Sequence, residues 1–301
     1  MNDDASSPPE ILCIGSVLWD VIGWTEREMP YGADRPGRIQ RSPGGVAMNI
    51  AMALRRFGLE PKLLSHIGED AAGEELMRAA AEMKIDASLV ARVPGLPTDQ
   101  YLAVEGPEGL VAAIADAHAL EAAGDAILAP LGDGRLGAPD APFSGLVALD
   151  GNLTEALLTQ ISVSPLFNAA DIRLAPASPG KAERLAPLLT HSRATLYVNL
   201  EEAGLLTGAR HGDAQRAAEA LSRAGATRVV VTDGPRATCA LTPDGLDVAL
   251  PPPTAVRRVT GAGDMFMAAH IAADLRGDDA AQALRAALDA AAAHVGGKTT
   301  P

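Results

Sequence analysis

Two rhythms of apolar and polar positions run along this chain. Short unbroken apolar runs, such as Ile11-Leu12-Cys13-Ile14-Gly15 and Leu146-Val147-Ala148-Leu149-Asp150, read as buried strands. Lys62 to Ile67, Ile172 to Leu174, Leu196 to Val198 and Arg228 to Thr232 also read as strands. Helical stretches separate them: from Pro43-Gly44-Gly45 to about Phe57, from Asp70 to Met83, Thr154 to Ile161, a stretch after Pro179-Gly180-Lys181, and an alanine-rich run from Asp279 to about His294. This alternation predicts an α/β protein whose mostly parallel central sheet is covered on both faces, a three-layer α/β/α arrangement. Thr238 to Leu241 and Leu246 to Leu250 form a further hairpin. Residues 21–43 are irregular, with Pro30, Pro36 and Pro43. Thr98 to Val104 and Gly109 to Ala115 read as a hairpin turned at Gly106-Pro107-Glu108-Gly109. Segments 21–43 and 97–117 are expected to join as a small β-sheet lid on a single domain spanning 1–301.

Composition narrows the function classes. Nearly half of the 301 residues are hydrophobic, enough for a large core, while aromatics make up only 3%. Ala, Leu and Val must therefore fill the interior, which suits helices packed on a sheet. The net charge of −13, with no cluster of Lys and Arg, disfavours binding to a nucleic acid polymer. Cys13 and Cys239, the two cysteines, both fall in expected strands and read as buried apolar residues rather than a disulfide or metal pair. No run is long and apolar enough to cross a membrane, and Met1 to Glu10 is polar, so a soluble cytoplasmic protein is expected.

The chemistry concentrates at Thr260-Gly261-Ala262-Gly263-Asp264. Its small residues permit close backbone approach, and the apolar run from Met265 starts a helix at once. Free N–H groups at that helix N-terminus attract anions, and Asp264 in the first turn sets a candidate general base beside them. A glycine turn with a helix-capping Asp is the simpler alternative. Elsewhere, Asp20 lies near the C-terminal end of the first strand, where α/β sheets collect ligands and a carboxylate can hold sugar hydroxyls. Gly44 and Gly45 ease a second helix entry, with Asn49 one turn in. Asn199 and Glu202, three apart after a strand, are able to hold a hydrated magnesium or simply cap a helix. By residue type alone, Lys181 reads as a surface lysine.

Taken in order, Gly15…Asp20, Gly44-Gly45…Asn49, Asn199…Glu202, Thr232…Gly234 and Thr260 to Asp264 resemble the ribokinase/PfkB family of carbohydrate and nucleoside kinases over nearly the whole chain. The resemblance implies a ribokinase-like fold, ATP as phosphate donor, and Mg2+. It implies Asp264 as catalytic base, with Gly261, Ala262 and Gly263 as the anion hole. Asp20, Gly44, Gly45 and Asn49 would hold the acceptor. Asn199 and Glu202 would organise magnesium and phosphates, and Thr232, Gly234 and Lys181 would lie with the nucleotide. Within the family the chain is most similar to pseudouridine kinases, through Asp150-Gly151-Asn152-Leu153-Thr154, Pro176-Ala177-Ser178 with Lys181, and the lid pattern Tyr101 to Val104 with Ala113 to Asp116.

Some positions depart from the family. Val259 stands where many members carry an Asp that helps bind a monovalent cation, so no such cation is expected through it. Ala175 replaces an Asp, and Tyr197-Val198 replaces a Lys-Pro pair. Asp233 sets an acid beside the expected phosphate path, and the chain stops soon after His294, where relatives often continue. The activity expected is transfer of the ATP γ-phosphate to the 5′-hydroxyl of pseudouridine. Its rivals are another nucleoside or a ribose-like sugar as acceptor, and a binding protein with weakened catalysis. Lid strands of the family often pair between subunits, which makes a homodimer an expectation.

Overall fold

The computed structural model describes residues 9–257 and 259–297. The N-terminal residues 1–8, part of the polar Met1 to Glu10 stretch, lie outside the described residues. Nine strands form the central sheet: β1 (Ile11–Ile14), β4 (Pro61–Gly68), β5 (Asp86–Val93), β8 (Leu146–Asp150), β9 (Asp171–Ala175), β10 (Ala194–Asn199), β11 (Arg228–Thr232), β12 (Thr238–Thr242) and β13 (Gly245–Ala249). Their order is β13-β12-β11-β10-β9-β8-β1-β4-β5. All pairings from β11 to β5 are parallel, and β12, at one edge, pairs antiparallel with both β11 and β13. Four more strands, β2 (Leu18–Trp24), β3 (Arg38–Gly44), β6 (Gln100–Gly106) and β7 (Gly109–Asp116), make a separate small sheet in the order β3-β2-β6-β7.

The α-helices are α1 (Val46–Arg56), α2 (Ala71–Glu82), α3 (His118–Ala123), α4 (Ala129–Gly132), α5 (Glu155–Val163), α6 (Leu200–Thr207), α7 (Ala214–Arg223), α8 (Ala262–Arg276) and α9 (Ala280–Val295). Burial divides them between the faces of the sheet. Leu12, Ile14 and Leu149 point towards α5, α6 and α7 in one core cluster, and Cys13, Ala148 and Val230 towards α1, α8 and α9 in another. Each such buried Leu or Ile is worth roughly 1.5–3 kcal/mol. Cys13 and Cys239 are buried free thiols.

Three features differ from the sequence reading. β5 and α3 fall where no element was expected, because Asp86 to Val93 alternates weakly and α3 is short. The stretch after Pro179 is a 3-10 helix, Pro179–Leu188, with Pro187 inside it removing a backbone donor. Asp20 is not in a loop beyond β1 but inside β2, so the small sheet itself carries it.

Helix α8, which begins at the focal loop, is tied to the sheet from below. Arg173 on β9 donates to Asp274 Oδ2 at 2.6 Å and to the Tyr197 hydroxyl at 2.9 Å. That hydroxyl in turn donates to His270 Nδ1 at 2.9 Å, and burial holds the imidazole below its usual pKa, as a neutral acceptor. Tyr197, one of the departures noted in the sequence, thus anchors the helix.

Candidate active site

The sheet's C-terminal edge gathers the residues. Gly261 caps α8 at φ 77°, a left-handed conformation that glycine adopts without a Cβ clash. Asp264 follows in the first turn and retains partial exposure. From α1, Asn49 Nδ2 donates to Asp264 Oδ2 at 3.0 Å. Burial raises the Asp264 carboxyl to a pKa of about 7. The charges of Asp150, Asp20 and Glu202 add to the rise, and the Asn49 bond opposes it. A carboxyl poised there can accept a proton near neutrality. A Cβ at Gly263 would meet only open space, so that backbone is reachable from outside.

The Asp20 carboxylate lies across Gly44 so closely that a Cβ on Gly44 would overlap it. Burial raises the Asp20 pKa to about 6. Gly45 caps α1 at φ 90°, where a Cβ would sit 2.5 Å from the Ser16 carbonyl oxygen. Both glycines are required for the entry of α1 to pass this close to β1 and β2.

Asn199 and Glu202 form a reciprocal capping box at the start of α6. Glu202 N–H donates to Asn199 Oδ1 at 2.9 Å and Asn199 N–H to Glu202 Oε2 at 2.8 Å. The simpler alternative, a helix cap, is therefore present. It leaves Glu202 buried, its pKa raised to about 7 by desolvation, with the nearby charge of Glu201 adding to the rise. Thr232 pairs in register with Asn199 on the adjacent strand, and Gly234 follows at φ 57°. Asp233 is held by both Arg236 Nε and Nη2 at 2.7 Å. That bidentate pair neutralises the charge expected to repel phosphate.

Lys181 is not a free surface lysine. Its Nζ donates to Asn152 Oδ1 at 2.6 Å, and burial lowers its pKa. Asn152 belongs to a cluster that residue-by-residue reading missed. Asp150 is fully buried and accepts from Ser16 N–H and Asn152 N–H at 2.7 Å, and from the Ser16 hydroxyl. The Ser16 oxygen also accepts from Val46 N–H and Asn152 Nδ2 at 2.9 Å. Ser16 thus joins the ends of β1 and β8 to the start of α1. Gly15, at φ 146° and with its missing Cβ against Asp150, was the one available signal.

Among the described residues no three His, Cys, Asp or Glu are grouped to hold a metal. Asp20, Asp150 and Glu202 nevertheless lie close enough to Asp264 to raise its proton affinity. Oxygen donors of this kind fit a magnesium ion that keeps most of its waters and arrives with phosphates.

The pfkB family carbohydrate kinase pattern matches residues 8–300. The uncharacterized sugar kinase YeiI of Escherichia coli K12 is 32% identical over 289 residues, covering 93% of this chain and 76% of the relative. Pseudouridine kinase of the same organism is 30% identical over 273 residues, covering 86% and 81%. The solved structure of Arabidopsis thaliana ribokinase, complexed with ribose and ATP, superposes with a TM-score of 0.77 at 22% identity, covering 96% of this chain and 93% of its own. The fold is ribokinase-like.

Proposed function

The chain belongs to the PfkB family of carbohydrate kinases and is a phosphotransferase with an alcohol acceptor; from that premise we propose that it phosphorylates the 5′-hydroxyl of pseudouridine with ATP. The observation that carries this reading is the Asp264 carboxyl, held by Asn49 beside the glycine loop and titrating near neutrality. Asp264 takes the proton of the attacking hydroxyl. The N–H groups of Gly261 and Gly263 receive the charge growing on the transferred group, whereas the Ala262 N–H, expected to join them, donates to the Val259 carbonyl at 3.1 Å and closes the turn. Asp20 and Asn49 orient the acceptor, with Gly44 and Gly45 keeping the backbone out of its way. Asn199 and Glu202 lie on the phosphate side, and Thr232, Gly234 and Lys181 lie with the nucleotide. Magnesium bound with ATP supplies charge neutralisation that the acidic cluster lacks. The small sheet, carrying Asp20, acts as a lid that excludes water, for which segments 21–43 and 97–117 are the moving parts.

Support for the acceptor comes from the 30% identical pseudouridine kinase and from the Asp150 to Thr154 and Pro176 to Lys181 stretches. A sugar acceptor is the second reading, favoured by the 32% identical sugar kinase. A weakened binder, suggested by Asp233, Ala175 and the short C-terminus, is disfavoured at the first of these, since Arg236 pairs with Asp233. ATP consumption measured with pseudouridine, uridine, ribose and fructose separates the readings. Turnover highest with pseudouridine is expected, and turnover with a sugar alone would refute that acceptor. Asp264→Asn should cut turnover by roughly 10²-fold or more. We also propose a homodimer through the small sheet, on which Ile39, Leu102 and Ile114 are exposed.

A further inference from the structure

Opposite the phosphate loop stands a side chain that the proposed mechanism does not use. His294, in the last turn of α9, is buried, and its Nε2 lies 2.9 Å from the carbonyl oxygen of Thr260. A carbonyl only accepts, so Nε2 carries the proton. The ring also covers one side of Gly261: a Cβ built there would lie 3.4 Å from Nε2. Arg257 N–H donates to the Val295 carbonyl at 2.9 Å, and the Gly296 backbone packs against Thr254. The end of α9 therefore grips both the approach to the loop and the loop itself.

The 260–261 peptide is trans, since the described chain has no cis bonds. In a trans peptide the C=O and the following N–H point in opposite directions. Holding the Thr260 carbonyl towards α9 therefore turns the Gly261 N–H away from it. Gly261, with no Cβ and a left-handed φ, has little intrinsic resistance to rotation of that peptide. The Ala262 N–H bond to the Val259 carbonyl at 3.1 Å closes a turn across this peptide, but such a bond is common to turns whose central peptide faces either way, and the His294 contact is a tether that selects one facing.

We infer that His294 is a positioning residue for the phosphate cradle, its Nε2–H holding the Thr260 carbonyl so that the Gly261 N–H stays aimed at the transferred group. The inference rests on the proposed kinase reading. It makes α9 a determinant of turnover rather than of acceptor binding.

The test compares His294→Leu with His294→Gln, whose side-chain amide can still donate. Turnover is measured with pseudouridine, and ATP and ADP affinities by calorimetry with magnesium and no acceptor. The Leu variant should lose kcat by up to the roughly 100- to 1000-fold that loss of one anion-hole donor costs, with acceptor KM unchanged. Its preference for ATP over ADP should fall while ADP affinity holds, and the Gln variant should recover most of both. Wild-type kcat and ATP preference in a folded Leu variant overturn the inference. So does equal loss in both variants with a matching drop in Tm, the mark of simple packing. If wild-type protein phosphorylates none of the acceptors, the proposed function fails, and the ATP-to-ADP ratio still decides the role of His294.

Discussion

Replacing Asn49 by Leu removes a side-chain donor that favours the charged form of Asp264. The bond is 3.0 Å long and partly buried. A hydrogen bond to a charged group contributes about 1.5–3 kcal/mol, and 1.36 kcal/mol corresponds to one pH unit of proton affinity. The variant should therefore hold its proton roughly one to two pH units higher, and partial exposure, which lets water replace the lost donor, favours about one. Starting from a pKa of about 7, half of Asp264 is ionised at pH 7, and about a tenth would be in the variant. The assay is the pH dependence of kcat/KM for the acceptor at saturating magnesium and ATP, for both proteins in the same buffers. Because Asn49 is also proposed to hold the acceptor, the height of the profile falls as well, but only the proton equilibrium moves its acid limb. A carbon-13 titration of the Asp264 carboxyl in ligand-free protein gives the same comparison without substrate. An acid limb and a titration unmoved by Asn49→Leu would falsify the account of how this carboxyl is tuned.

Three further outcomes follow from the same contacts. Asp264→Asn should raise Tm at pH 8 and leave it nearly unchanged at pH 4: the folded carboxyl, raised to about 7, keeps its proton between pH 4 and 7 while the unfolded one releases it, so stability declines across that window and the penalty is full above it. A Tm difference independent of pH would contradict this sign. Gly44→Ala should raise the acceptor KM at least tenfold with ATP affinity unchanged, because its methyl would take the space of the Asp20 carboxylate; isothermal titration of each ligand checks the split. Ser16→Ala leaves the buried Asp150 short of a donor and should cost about 1–3 kcal/mol in urea unfolding, and a neutral result would mean that the cluster has other support.

The positions of several central strands, such as β1 and β8, were legible as short apolar runs, since a strand buried on both faces must be apolar throughout, while their order across the sheet was not. β5 stayed hidden because its exposed and half-buried residues at the sheet edge carry no such run. Asp70, Thr154 and Asp279 announced their helices, each accepting from the backbone N–H three residues on. Asp20 was legible as a carboxylate of interest but not as a member of the small sheet, because pairing of β2 with β6 joins residues far apart in sequence.

The amino-acid sequence by itself determined the alternation of strands and helices, the glycine-lined entries to α1 and α8, and the polar residue one turn into each, Asn49 and Asp264. Those are local properties, set by side-chain size and backbone freedom. Only the tertiary structure decided that Asn49 reaches Asp264, that Ser16 clasps Asp150, that Arg236 cancels Asp233, and that His294 grips Thr260. Proton affinity and peptide orientation depend on which groups are close in space and screened from water, and residues 215 apart in the chain become neighbours only when the sheet has assembled.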